Sequence, residues 1–258
     1  MNSFKEYLGE FIGTLILVLF GCGSVAVAVL FSGFGSLLEV AIIWGIGVAI
    51  AIFSVKNLCP AHLNPAVSLG MCLSKKLPFK KLPFYILSQT FGAFVAAILI
   101  FIFFDDSIAI FEHTNGIVRG SEDSFRSALM FGEFFPNPGF AGLIPISPLK
   151  AGFMEGFGTF ILVLVIFRLT EKKEHIDNLT PVLIGLTVTL LICLIAPFTQ
   201  GGFNPARDFG PRIVAYFGGW GLSAFPAYPF SFLTVYIFAP LIGGIFGSLS
   251  NQMIERYN

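Results

Sequence analysis

Six stretches of the chain are apolar for long enough to cross a bilayer, near residues 8–31, 38–56, 83–104, 149–168, 178–198 and 230–250. A spanning helix needs about 20 such residues. Two shorter segments break the series: NPAVSLGMCL from Asn64 and NPARDFGPRIVAYF from Asn204. Neither is long enough to cross, so each predicts a re-entrant or interfacial piece. The pattern therefore predicts an all-α membrane protein with six transmembrane helices and two re-entrant half-helices.

The pattern also repeats. EFIGTLILVL from Glu10 returns as EGFGTFILVL from Glu155, with seven of ten residues identical at an offset of 145. Asn64-Pro65-Ala66 returns as Asn204-Pro205-Ala206 at an offset of 140, and Gln89-x-x-Gly92-Ala93 is matched by Pro240-x-x-Gly243-Gly244. Three spans are an odd number of crossings, so the second copy of three must run inverted relative to the first. A 3+3 inverted repeat relates its halves by a pseudo-two-fold axis in the membrane plane, an arrangement that suits solute passage. The predicted organisation is one membrane channel domain over 1–258. Its first repeat covers about 5–104, an outer loop 105–148 and the second repeat about 149–252.

Composition agrees. Only 12% of residues are charged and 55% are hydrophobic, whereas a soluble domain carries about 25% charged residues. Mean hydropathy is +0.85. A disordered chain and a soluble domain with a charged surface are excluded. Fifteen Lys+Arg balance fifteen Asp+Glu, so nothing points to nucleic acid as a partner. Cys22, Cys59, Cys72 and Cys193 form no C-x-x-C, which argues against a disulfide framework and a zinc site. The first apolar run is longer than that of a cleaved signal peptide and reads as a retained helix.

Charge placement sets the orientation. Lys75, Lys76, Lys80 and Lys81 lie between spans two and three, and Arg168, Lys172 and Lys173 between spans four and five. Lys5 precedes the first span and Arg256 follows the last. In a six-span chain these all fall on one side, and the positive-inside bias makes it the cytoplasm. The 105–148 connection falls outside, with six acids against Arg119 and Arg126. Both termini are expected inside, in the plasma or inner membrane.

The two Asn-Pro-Ala motifs carry the chemistry. Asn before Pro is pushed out of the α region, Pro is favoured at the first helical position and Asn is among the best N-caps. Each motif is thus a helix start capped by its Asn. Two half-helices entering from opposite faces place their N-termini together near the midplane, each with roughly half a positive charge from its dipole. Cations and hydronium are repelled there, while a neutral polar solute is held by hydrogen bonds. Non-helical backbone at that depth is tolerated where it lines a cavity. Pro60, Ala61, His62, Leu63, Gln200, Gly201 and Gly202 are therefore expected to offer a ladder of carbonyl acceptors.

On these residues the chain resembles an aquaporin of the major intrinsic protein family, across essentially its whole length. The resemblance implies the aquaporin fold, a homotetramer with one pore per subunit, and passage of small neutral solutes. Several features are similar to the glycerol facilitators: Asp208 and Arg212 in NPARDFGPR, Pro240-Leu241, and the long outer loop with IVRGS and FPNPGF. The resemblance also implies a four-residue selectivity filter, here Trp44, Ile192, Gly201 and Arg207. This set departs from the glycerol type, which has Phe at the Gly201 position and Gly at the Ile192 position. It is similar to some plant nodulin-like channels. Pro60 stands where Gly is common. Arg207 offers up to five donors in a fixed fork, and Trp44 and Ile192 offer apolar faces for the carbon side of a polyol.

The expected function is a passive channel for glycerol or related polyols and for water, in a lipid bilayer. Alternatives are a water-selective channel, a channel for urea or undissociated metalloid acids, a secondary transporter and a junction protein with the same fold. A transporter needs coupling acids, and the candidates are Glu10, Glu155, Glu39 and Asp208. Glu10 and Glu155 read as structural carboxylates that hold the re-entrant loops, rather than as a proton relay. His62 reads as a hydrogen-bonded loop residue rather than a pH gate. No nucleotide loop, metal spacing or nucleophile–base pair is present, so an enzyme, a cofactor and a metal are not expected.

Overall fold

The computed structural model describes residues 3–140, 143–170, 177–226 and 230–257. The first repeat contains α1 (Ser3–Phe31), α2 (Leu37–Val55), the half-helix α3 (Pro65–Leu73) and α4 (Leu82–Thr114). A short α5 (Phe125–Ala128) sits in the long connection. The second repeat contains α6 (Pro148–Thr170), α7 (Thr180–Thr199), the half-helix α8 (Pro205–Ala215) and α9 (Ala239–Tyr257), which is preceded by wide helical turns over Phe232–Phe238. Among the described residues, six helices are long and apolar enough to span a membrane.

The packing obeys the repeat. Exchanging α1, α2, α3 and α4 for α6, α7, α8 and α9 maps the main helix contacts onto one another. The α1–α4 contact becomes α6–α9, and α4–α8 becomes α9–α3, while α2–α7 maps onto itself. Small residues permit the crossings. A Cβ on Gly92 would lie 2.3 Å from the Phe11 carbonyl oxygen, and one on Gly243 would lie 2.1 Å from that of Gly156. Phe11 and Gly156 each follow the duplicated glutamate. At the α2–α7 crossing, a Cβ on Gly45 would lie 2.1 Å from Thr189 Oγ1 and 2.5 Å from the Gly185 carbonyl oxygen. Gly45→Ala is expected to collapse the yield of folded, monodisperse protein on size exclusion. Gly23→Ala, which meets nothing within 4 Å, is expected to leave it unchanged.

Outward faces are apolar at helical spacing. Ile42, Ile46 and Ile50 on α2, and Leu186, Leu190 and Leu194 on α7, form exposed i, i+4 stripes. In water these would be a liability; they suit a lipid surface.

Three boundaries move outward from the hydropathy pattern. Helix α1 begins at Ser3, α4 continues to Thr114 rather than 104, and α9 runs to Tyr257. Hydropathy marks where the bilayer ends, whereas a helix ends where its backbone is broken. Asp105 and Asp106 do not stop α4; Gly116 does, with φ of +65° just past the Asn115 cap. The first ten residues of the expected outer loop are therefore helix. Lys81 has more than a topological role: its ammonium pairs with Glu6 at 2.8 Å, and Tyr85 donates to the same carboxylate at 2.9 Å. Lys172 and Lys173 lie outside the described residues.

Candidate functional site

The site is assembled from its backbone outward. In both re-entrant segments the residues three and one before the Asn take positive φ: Ala61 (+54°) and Leu63 (+52°), Gly201 (+79°) and Phe203 (+53°). For non-glycine residues this conformation is strained and persists only where the surroundings impose it. The duplicated glutamates do so. Glu10 accepts from the backbone N–H groups of His62 (2.9 Å) and Leu63 (2.7 Å). Glu155 accepts from Gly202 (2.9 Å) and Phe203 (2.8 Å). Both carboxylates are fully buried.

The third bond breaks the symmetry for a reason visible in the sequence. Gln89 Nε2 donates to Glu10 at 2.8 Å. Proline, without a side-chain donor, holds the matching position 240, and the Thr199 hydroxyl instead donates to Glu155 at 2.6 Å. Glycines receive the strained side chains: a Cβ on Gly13 would lie 2.4 Å from Leu63, and one on Gly158 would lie 2.3 Å from the Phe203 ring.

The half-helices meet N-terminus to N-terminus. Asn64 Oδ1 caps α3 by accepting from the Ala66 N–H at 2.8 Å. Asn204 Oδ1 caps α8, accepting from Ala206 at 3.1 Å and Arg207 at 3.3 Å. Each amide also donates across the junction, Asn64 Nδ2 to the Phe203 carbonyl (3.0 Å) and Asn204 Nδ2 to the Leu63 carbonyl (2.8 Å). An amide has two N–H donors, so each Asn retains one.

These residues line a cavity of about 410 Å³ that runs past the junction. Trp44, Ile192, Gly201 and Arg207 converge at one end, and Lys56, Lys76 and Thr170 lie at the other. Pro60, Ala61, His62, Leu63 and Gly202 line the polar side along with Asn64 and Asn204. Gln200 ends α7 in a left-handed turn, and its side-chain carbonyl accepts from the Phe134 N–H at 2.6 Å. The Leu63 carbonyl already accepts the Asn204 amide. The opposite wall is apolar, formed by two i, i+4 rows: Trp44, Val48 and Ile52 on α2, and Ile184, Val188 and Ile192 on α7. That spacing was present in the sequence and identifies the wall once Trp44 is placed.

Sequence reasoning missed two partners of this end. Glu133, from the long connection, forms a buried ion pair with Arg207. Phe203 lines the cavity beside Gly201, where a Cβ would lie 3.2 Å from its ring. The Arg207 guanidinium also lies over the Trp44 indole, 4.2 Å from its centroid, a favourable cation–π geometry. Glu133 is itself held from behind. Its N–H donates to Asp208 at 2.8 Å, and its carbonyl accepts from Arg212. Asp208 and Arg212 are paired at 2.7 Å with both side chains fully buried.

Every acid considered for ion coupling is thus engaged. Glu10, Glu155 and Asp208 are bonded as described, and Glu39 accepts from the Gly35 N–H at 2.7 Å. The His62 Nδ1 lies 3.2 Å from the Ser68 hydroxyl. All four cysteines are free thiols.

A helical inverted repeat whose two half-helices meet inside one continuous cavity defines a membrane channel for small solutes. The chain belongs to the major intrinsic protein family, whose sequence profile matches residues 1–251, and it is an integral membrane protein. It is 39% identical over 250 residues to the glycerol uptake facilitator protein of Pseudomonas aeruginosa, covering 96% of this chain and 87% of that one. It is 37% identical over 257 residues to the protein of the same name from Escherichia coli, covering 98% and 89%. Among solved structures it is similar to the aquaglyceroporin from Plasmodium falciparum, with a TM-score of 0.82, 27% identity, and coverage of 99% and 98%.

Proposed function

We propose that this chain is a passive channel for small neutral polyols, glycerol first, and for water, and that it excludes ions and protons. The observation that carries this reading is the two-sided cavity. One wall presents the Asn64 and Asn204 amides, backbone carbonyls and the Arg207 fork; the other presents Trp44 and the two aliphatic rows. A polyol has hydroxyls on one side of a carbon chain and fits both walls at once. The half-helix N-termini oppose cations at the junction, and Arg207, paired with Glu133, supplies the donor fork at the filter.

Within this reading Trp44, Ile192, Gly201 and Arg207 form the selectivity filter. Glu10 and Glu155 are structural carboxylates. The carbonyl ladder is Pro60, Ala61, His62, Leu63, Gln200, Gly201 and Gly202, with the Leu63 carbonyl also accepting the Asn204 amide. The termini lie in the cytoplasm, and the chain assembles as a homotetramer in the cell membrane. Ile192 opposite Gly201 also favours a second reading, in which urea or undissociated metalloid acids pass.

Stopped-flow light scattering on liposomes, without ion gradients, tests the reading. Rapid glycerol entry alongside water is expected. Fast water without glycerol overturns the polyol reading in favour of a water-selective channel, and flux that follows a proton or sodium gradient overturns the passive one. Gly201→Phe narrows the filter and is expected to reduce polyol flux more than water flux. Its positive φ adds about 1–2 kcal/mol of backbone strain for a non-glycine residue, so yield should also fall. Equal losses of both solutes would remove Gly201 from the constriction.

A further inference from the structure

We infer that Gly21, on α1 and outside the cavity, is a positioning residue that sets the width of the polyol filter by letting Trp44 recess. This rests on the polyol-channel reading above. A Cβ built on Gly21 would lie 2.2 Å from Cη2, 2.2 Å from Cζ3 and 2.3 Å from Cε3 of the Trp44 indole. Three atoms of a rigid ring at that distance place the indole in the space a side chain at 21 would fill.

The ring has little other freedom. Toward the second repeat it meets the Arg207 guanidinium, 4.2 Å from its centroid, and that group is tied to Glu133. Along α2 the α1–α2 contact is already close, with Phe20 Cβ 2.8 Å from where a Cβ on Gly47 would be. Trp44 is 5% exposed and lines the cavity. A ring displaced from α1 therefore moves into the path of the solute.

The duplicated sequence supports the same conclusion. At the offset of 145 that relates Glu10 to Glu155, Gly21 corresponds to Ile166; at the offset of 140 that relates the Asn residues, Trp44 corresponds to Ile184. Ile166 and Ile184 both line the other half of the cavity. One half therefore pairs the smallest residue with the largest, and the other pairs two of intermediate size. The outer pair keeps an aromatic face in the channel only because position 21 has no side chain. A glycine inside a helix weakens it relative to alanine, and Gly23, two residues on, faces open space. Gly21 is distinguished from Gly23 by what it accommodates.

The test compares wild type, Gly21→Ala, Gly23→Ala, Trp44→Phe and Gly21→Ala/Trp44→Phe in liposomes, with water and glycerol permeability each normalised to reconstituted protein. Phenylalanine at 44 lacks the outer ring atoms that collide. Gly21→Ala is expected to lower glycerol permeability at least about fivefold, the order expected of overpacking by one methyl. Water should fall less, and Gly23→Ala should match wild type. The double variant should regain the glycerol permeability of Trp44→Phe. Unchanged glycerol flux in Gly21→Ala overturns the inference. So do equal losses of water and glycerol, or failure of Trp44→Phe to rescue. Absence of glycerol flux in the wild type instead overturns the polyol reading itself.

Discussion

Arg207→Val is expected to convert a channel that carries no ions into one that leaks cations. The substitution does not simply delete a positive charge. It leaves Glu133, whose side chain is 5% exposed, as an unpaired carboxylate beside position 207. A unit charge acting on a cation at about 4 Å with an effective dielectric of about 20 contributes roughly 4 kcal/mol. That is about three decades in local cation population, where the wild-type ion pair is net neutral. The leak should depend on pH. Burial pushes the Glu133 carboxyl above the usual carboxylate range, and Arg207 pulls against that shift. Without Arg207 the carboxyl rises further. The leak should therefore be largest at alkaline pH and fall as pH drops through the raised value, because the protonated group is neutral. Proton and sodium flux into dye-loaded liposomes measures it. The Arg207→Val/Glu133→Val variant should lose the leak, and a leak that survives in it would sink the explanation.

Asp208→Ala is expected to cost about 3–5 kcal/mol of stability, the usual consequence of leaving one member of a buried ion pair alone. Arg212 would remain fully buried without a charged partner, held by the carbonyls of Glu133 and Ala224 and by surrounding aromatic rings. The Glu133 N–H would lose its acceptor as well, loosening the loop that carries the partner of Arg207. The thermal unfolding midpoint in detergent should drop sharply. Asp208→Asn, which keeps the shape and one acceptor, should drop less. An unchanged midpoint for Asp208→Ala would mean that this pair does not anchor the loop. Because Asp208 and Glu133 are in contact, their substitutions should not add independently.

Much of the site was visible in the chain because its causes are local. Asn before Pro dictates a cap within three residues, and both Asn side chains bond to the N–H groups that capping chemistry requires. The duplicated glutamates were recognisable by symmetry alone, as were the small residues where helices cross. Other features were invisible for an equally physical reason. The left-handed turn that ends α7 sends the Gln200 side chain to the Phe134 backbone, 66 residues away. The Leu63 carbonyl looks free in the sequence, but one of its two lone pairs accepts the amide of the partner half-helix.

The sequence by itself determined the membrane class, the six spans, the two half-helices, their inverted pairing and the capping role of each Asn. Each follows from hydropathy over about 20 residues, from backbone preferences over three or four, or from copying at a fixed offset. Only the tertiary structure decided that Glu133 meets Arg207, that Asp208 holds the Glu133 backbone from 75 residues away, and that Trp44 rests against the bare face of Gly21. Those contacts depend on how separate helices and a long loop settle against one another. No preference confined to neighbouring residues encodes that.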